Sequence, residues 1–159
     1  MTISLRRLSV LVGASLGCVA AILPSAAYAG VGGPVTVYNG VPPFGALNEC
    51  VIVYGGDYSG AAGYGIAPLG ATTLAYSGAC GTTTLNRPYD WLRARAELCS
   101  GSTFCGTRTA SNASNTFFAS TTSVPTTNCS SANRVLYFDG VYNHPTLVPH
   151  PHAGSAIAL

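Results

Sequence analysis

The order of apolar and polar residues divides the chain into short strands separated by turns. Val35-Thr36-Val37-Tyr38 alternates and is β-branched, so it reads as a strand, and Asn39-Gly40 with Pro42-Pro43 ends it. Cys50 to Tyr54 is a continuous apolar run, short enough for a strand buried on both faces. Residues 55–71 are dense in glycine with tyrosines interspersed and read as an ordered loop, after which Thr72 to Tyr76 reads as a third strand. Val135-Leu136-Tyr137-Phe138 is the last strand, and the segment from 106 to 128 reads as a long polar loop around Phe117-Phe118. One segment, RPYDWLRARAEL, predicts a helix over about residues 87–99. Asn86 can cap it, Pro88 suits its first turn, and Asp90 suits the positive end of the dipole. Trp91, Leu92, Leu98 and Cys99 share a broad apolar face, Glu97 lies four residues from Arg93, and Gly101 ends the helix. The fold class expected is α+β: a small disulfide-stapled antiparallel β-sheet or sandwich, one clear helix and long ordered loops.

The first residues change the picture, because they set the compartment. Arg6-Arg7 precede an apolar core from Leu8 to Leu23, Pro24 breaks it, and Ala27-Tyr28-Ala29 places small residues before Gly30. This predicts a signal peptide over 1–29, with the protein secreted to an extracellular or periplasmic space and no membrane span left after cleavage. About 130 residues remain, one domain's worth. In them Arg87, Arg93, Arg95, Arg108 and Arg134 balance Glu49, Asp57, Asp90, Glu97 and Asp139, and there is no lysine. A neutral domain with scattered arginines has no electrostatic footprint for nucleic acid or an anionic membrane. Solubility rests on Ser, Thr and Gly rather than on charge.

Cys50, Cys80, Cys99, Cys105 and Cys129 follow the signal, and in an oxidising compartment they are expected to pair with one left over. None of the spacings is C-x2-C, so no cysteine zinc site is expected. His144, His150 and His152 are separated by Pro145, Pro149 and Pro151, which is not the spacing of a preformed metal site. No metal and no cofactor is expected. There is no G-x-S-x-G, no H-E-x-x-H and no well-spaced carboxylate pair, so the chain is not read as an enzyme.

The cysteine-bearing blocks carry a resemblance. The predicted helix runs into C-x-G-x-x-x-C (Cys99, Gly101, Cys105), and Asn112 and Phe117 follow. Cys129 then precedes Arg134 by five residues and Leu136 by seven. With Val35-Thr36-Val37, Phe44-Gly45 and Cys50 at the front, the pattern resembles the galactose/rhamnose-binding lectin domain of the sea-urchin-egg-lectin type, from roughly Val35 to Phe138. Gly30 to Pro34 reads as a flexible leader, the proline-punctuated segment over 143–159 reads as a Pro/His tail running over the surface, and the resemblance implies a lectin-like domain over 35–142. It implies disulfides Cys99–Cys105 and Cys80–Cys129, worth about 2.4 and about 4 kcal/mol by loop closure. Cys50 is then unpaired, standing either as a buried thiol or as an intermolecular bridge.

The resemblance also implies a site. The family binds sugar through an N-terminal Glu, a Tyr before Gly, an Asp before Pro-Cys and a Lys before the last strand. The Glu has no counterpart here, and the other three positions hold Phe44, Asn128 and Arg134. Each has a plainer reading: Phe44 as core, Asn128 as a turn residue, Arg134 as a solvated strand-end charge. Trp91 reads as core on the helix face. The expected function is a secreted, non-enzymatic carbohydrate-binding module for galactose- or rhamnose-type sugars, its partner a glycan or glycoconjugate surface. The alternative is a secreted structural or protein-interaction module that kept the scaffold and lost the sugar site. Asn112-Ala113-Ser114 and Asn128-Cys129-Ser130 would be glycosylation acceptors in a host that glycosylates.

Overall fold

Period-two alternation governs the whole fold. The computed structural model describes residues 31–56 and 69–159. The expected signal peptide and most of the glycine-dense loop lie outside these. The described residues form strands β1 (Val31–Gly40), β2 (Glu49–Gly56), β3 (Gly70–Ser77), β4 (Thr83–Thr84), β5 (Leu92–Ser100), β6 (Thr103–Ser111), β7 (Phe118–Ser120), β8 (Arg134–Tyr142) and β9 (His152–Ala158). One sheet runs β1-β2-β3-β4, with β7 also on β3, and the other runs β6-β5-β8-β9; every pairing is antiparallel. The sheets pack face to face, with β1 over β9, β2 over β8 and β3 over β5. No helix among the described residues is long and apolar enough to cross a membrane.

The strands expected around Val35–Tyr38, Cys50–Tyr54, Thr72–Tyr76 and Val135–Phe138 are present as β1, β2, β3 and β8. The helix is not. Residues 92–100 are β5, at the centre of the second sheet between β6 and β8. Leu92, Ala94, Ala96 and Leu98 point into the core, while Arg93, Arg95, Glu97 and Cys99 take the outer face. Arg, Ala, Glu and Leu have high helix propensity, but a strand paired on both sides overrides propensity. Asp90, at φ 68°, also denies the segment a helical first turn. Three further segments differ from expectation: Val31 to Pro34 of the leader belong to β1, residues 106–111 of the expected loop lie in β6, and the tail returns as β9 beside β8.

The inner core joins Val37, Val51, Val53 and Ala75 to Ala96, Leu98, Leu136, Phe138 and Tyr142. A smaller cluster of Cys50, Ile52, Leu74 and Tyr76 occupies the opposite face of the first sheet, so β2 is buried on both faces as its sequence foretold. The sheets approach closely where β2 crosses β8. A Cβ on Gly55 would stand 2.2 Å from Cγ of Phe138, so this position excludes every side chain. The Thr73 hydroxyl donates to the Arg93 carbonyl at 2.7 Å, a polar tie across the sandwich. Asn112, fully buried, accepts from the Leu92 amide at 2.9 Å and donates to the Arg87 and Pro88 carbonyls. It fixes the approach to β5, and its side-chain amide is spent on that task.

The disulfides between described residues are Cys50–Cys80 and Cys105–Cys129, with Cα–Cα distances of 5.2 and 5.4 Å. Both expected pairings, and an unpaired Cys50, are therefore corrected. Cys99 shares the outer face of β5 with Glu97, whereas Cys105, at the bulge of β6, belongs to the inner core, so the two thiols stand on opposite sides of one sheet. Cys80 lies just past β3, at the end of the sandwich that holds Glu49 and Tyr142, while Cys129 lies at the other end beside Arg134. Cys50 is fully buried and bonded within the chain, which removes it as an intermolecular bridge. Cys99 is bonded as well and is not a free thiol.

Candidate functional site

The residues named for sugar binding are not brought together. Phe44 sits in the β1–β2 loop, on the Glu49 end, and is fully exposed rather than in the core. Arg134 opens β8 at the far end, where its Nε donates to the Ser130 carbonyl at 2.7 Å and Nη2 to the Cys129 carbonyl at 3.3 Å. Asn128 is exposed in the turn before Cys129. The length of β8 separates Phe44 from the other two, about 26 Å at the usual strand rise. Arg134 thus braces a turn, and no common ligand reaches all three.

What the fold does assemble lies on the outer face of the second sheet. An open hollow of about 380 Å³ is lined by Arg93, Ala94 and Arg95 of β5, Thr109, Ala110 and Ser111 of β6, and Asp139 and Val141 of β8. The register explains the grouping: Arg93 lies between Ser111 and Val141, and Arg95 between Thr109 and Asp139. Its volume falls within the usual range of small-molecule sites.

The charges are unequally satisfied. Arg93 donates through Nε to Asp90 at 2.8 Å and through Nη2 to its other oxygen, and Ser111 Oγ donates to the same carboxylate. Those bonds, Arg93's first and Ser111's next, hold the Asp90 carboxyl down at about 2. Arg95 Nη2 donates to the buried Glu97 at 2.6 Å. Burial nonetheless pushes the Glu97 carboxyl up; Arg95 opposes this and Asp139 reinforces it. Asp139 is left over. Its Oδ1 is buried with no hydrogen-bond partner among the described residues, and burial raises its carboxyl, with Arg95 and His152 pulling the other way. The hollow is therefore lined by a carboxyl that no described side chain pairs by hydrogen bond, beside a guanidinium that gives one hydrogen bond to Glu97. That combination accepts from one hydroxyl and donates to its neighbour.

Arg93, Arg95 and Asp139 were not singled out from the sequence. The signal was present in LRARAELC: at period two, Arg93, Arg95 and Glu97 share one face, whereas at period 3.6 Arg95 falls away from the other two. Asp139 closes β8 just past the apolar run that marked it, and only the β5–β8 register reveals its neighbour.

A second cluster closes the Glu49 end of the sandwich. Glu49 takes an ion pair from Arg87 and a hydrogen bond from the buried Tyr142 hydroxyl. Arg87 lies 5.7 Å over the Trp91 ring, and His144 packs edge-on to Trp91 at 4.7 Å and to Tyr142 at 5.5 Å. Burial, then the bond to Glu49, drives the Tyr142 phenol far above its ordinary range. Burial lowers the His144 imidazole, helped by Arg87 and opposed by Glu49. Both Glu49 oxygens are engaged here, so the cluster reads as a plug. Trp91 is half-buried within it, packed against the core from the end rather than from a helix face. Among the described residues, no group of three or more His, Cys, Asp and Glu could hold a metal.

Comparison with family models, with curated proteins and with solved structures finds no match.

Proposed function

We propose that the protein is a secreted, non-enzymatic carbohydrate-binding module whose site is the hollow on the outer face of β6-β5-β8, not the Phe44, Asn128 and Arg134 set. One observation carries this: the Asp139 carboxyl, whose Oδ1 is buried without a donor among the described residues, stands beside Arg95 in a hollow lined also by Arg93, which is paired with Asp90, and otherwise by small hydroxyl and apolar side chains. Vicinal hydroxyls on a sugar would donate to the Asp139 carboxyl and take up guanidinium hydrogens. Among the described residues no aromatic ring lines the hollow, so hydrogen bonds rather than stacking would select the ligand. The non-enzymatic reading rests on the hydroxyls: Ser111 gives its proton to Asp90, and among the described residues no histidine lines the hollow. Export is supported by two disulfides, which persist in oxidising compartments.

The test is a glycan array followed by calorimetric titration of free galactose and rhamnose. Asp139→Asn and Arg95→Met should each weaken a bound glycan at least tenfold, since each removes a hydrogen bond to a charged group. Arg134→Ala should change nothing. Unchanged affinity in both hollow variants would move the site elsewhere. No glycan bound at millimolar concentration would end the carbohydrate reading and leave the interaction module.

A further inference from the structure

The Glu49 end of the sandwich carries apolar side chains that its own packing does not explain. Val41, Phe44 and Leu47 project from the β1–β2 loop and Val148 from the β8–β9 loop, with Phe44 fully exposed and Val148 82 % exposed. The two loops are tied, since the Thr146 hydroxyl donates to the Pro43 carbonyl at 3.1 Å. Phe44 is held outward, not left loose. It sits at φ 64°, where a bulky residue is rare, in a turn closed by the Gly45 amide donating to the Pro42 carbonyl at 2.8 Å.

Three features fit these tips to a lipid–water interface. Residues 40–48 and 143–151 contain no Asp, Glu, Lys or Arg, so entry desolvates no formal side-chain charge. Their backbone is poor in free donors: Pro42, Pro43, Pro145, Pro149 and Pro151 have no N–H, and the amides of Gly45, Thr146 and Leu147 are bonded within the loops. Just below the tips, Trp91 and the exposed Tyr89 give the apolar-bodied, polar-tipped rings that favour headgroup depth. Protruding tips suit a fluid solvent, whereas a protein partner would need a pocket shaped for each. We propose that this end inserts its loop tips into the interface of a zwitterionic membrane, as a peripheral contact without a span. The proposal is independent of the sugar hollow, which lies on the face of the second sheet.

Trp91 is the single tryptophan and reports directly. The purified protein is titrated with phosphatidylcholine vesicles while Trp91 emission and vesicle flotation are followed. The expected result is a blue shift, flotation with the vesicles, and little change when a fifth of the lipid is made anionic. Phe44→Ser combined with Val148→Ser should lower the partition coefficient at least tenfold. Leu47→Ser alone should lower it by a smaller factor, with far-UV circular dichroism unchanged in both. The proposal is overturned if the wild type does not float, or if the double variant floats equally well. It is also overturned if sedimentation velocity shows a wild-type dimer that the double variant dissociates, because the tips would then cover a second copy of the chain.

Discussion

Asp139→Asn should make the protein more stable at neutral pH while weakening the ligand. The Asp139 carboxylate is buried in the fold with one oxygen lacking a donor, a cost the unfolded chain does not bear. Leaving a buried polar group unsatisfied costs about 1–3 kcal/mol, and the neutral amide of the same shape costs less, so the gain should be about 1–2 kcal/mol. The pH dependence follows from the direction of the shift. The carboxyl lies above its ordinary 3.8 in the fold, because burial outweighs Arg95 and His152. The folded chain therefore holds the proton more tightly than the unfolded one, and stability is lost as pH rises through the folded-state value. Below 3.8 both states are protonated and the advantage of Asn should vanish. The assay is urea denaturation of both proteins at pH 7 and pH 3. With a slope of about 1.5 kcal/mol per molar, the midpoint at pH 7 should rise by about 1 M, and the two midpoints should converge at pH 3. If the variant is less stable at pH 7, the carboxylate has a satisfied role in the fold, and the hollow loses the feature that makes it a site.

Three further outcomes test the architecture. Tyr142→Phe keeps the ring in the core but strips the buried Glu49 of a donor, and should cost about 2 kcal/mol in the same assay with an unchanged slope. Gly55→Ala places a methyl against Cγ and Cδ1 of Phe138 and should cost about 3 kcal/mol, and a Gly55→Ala, Phe138→Ala double variant, which removes both atoms, should lose less than the sum of the two single changes. Replacing Cys105 and Cys129 together by serine opens a bridge spanning 24 residues and should cost about 3.4 kcal/mol; peptide mapping without reduction should recover Cys50 with Cys80.

The strands that packing makes unambiguous were legible in the sequence. Cys50 to Tyr54 admits little else than a strand covered on both faces, and the alternation at Val35 and the run at Val135 sufficed for β1 and β8. The errors share a cause. Residues 92–99 alternate strictly, yet their amino acids favour helix, so propensity and period point to different elements. Once that segment is a helix, Cys99 and Cys105 look like neighbours around its end. In a hairpin they lie on opposite faces, and the pairing that the lectin resemblance implied goes with the helix. The hollow was beyond reach for another reason. Arg95 and Asp139 are 44 positions apart in the numbering and meet only through the β5–β8 register, which depends on partners that local pattern does not specify.

The paths of β1 and β9 carry a practical consequence. β1 starts opposite Gly56, β9 finishes opposite Val135, and Gly32 lies against Ile157, so the start of β1 and the end of β9 lie at one pole. In a variant begun at Val31, a linker of a few residues could join Leu159 to that residue, with new termini opened in the β5–β6 turn without cutting Cys50–Cys80 or Cys105–Cys129. A tether placed at Leu159 would grip the molecule from behind, presenting Phe44 and Val148 outward to whatever surface is offered.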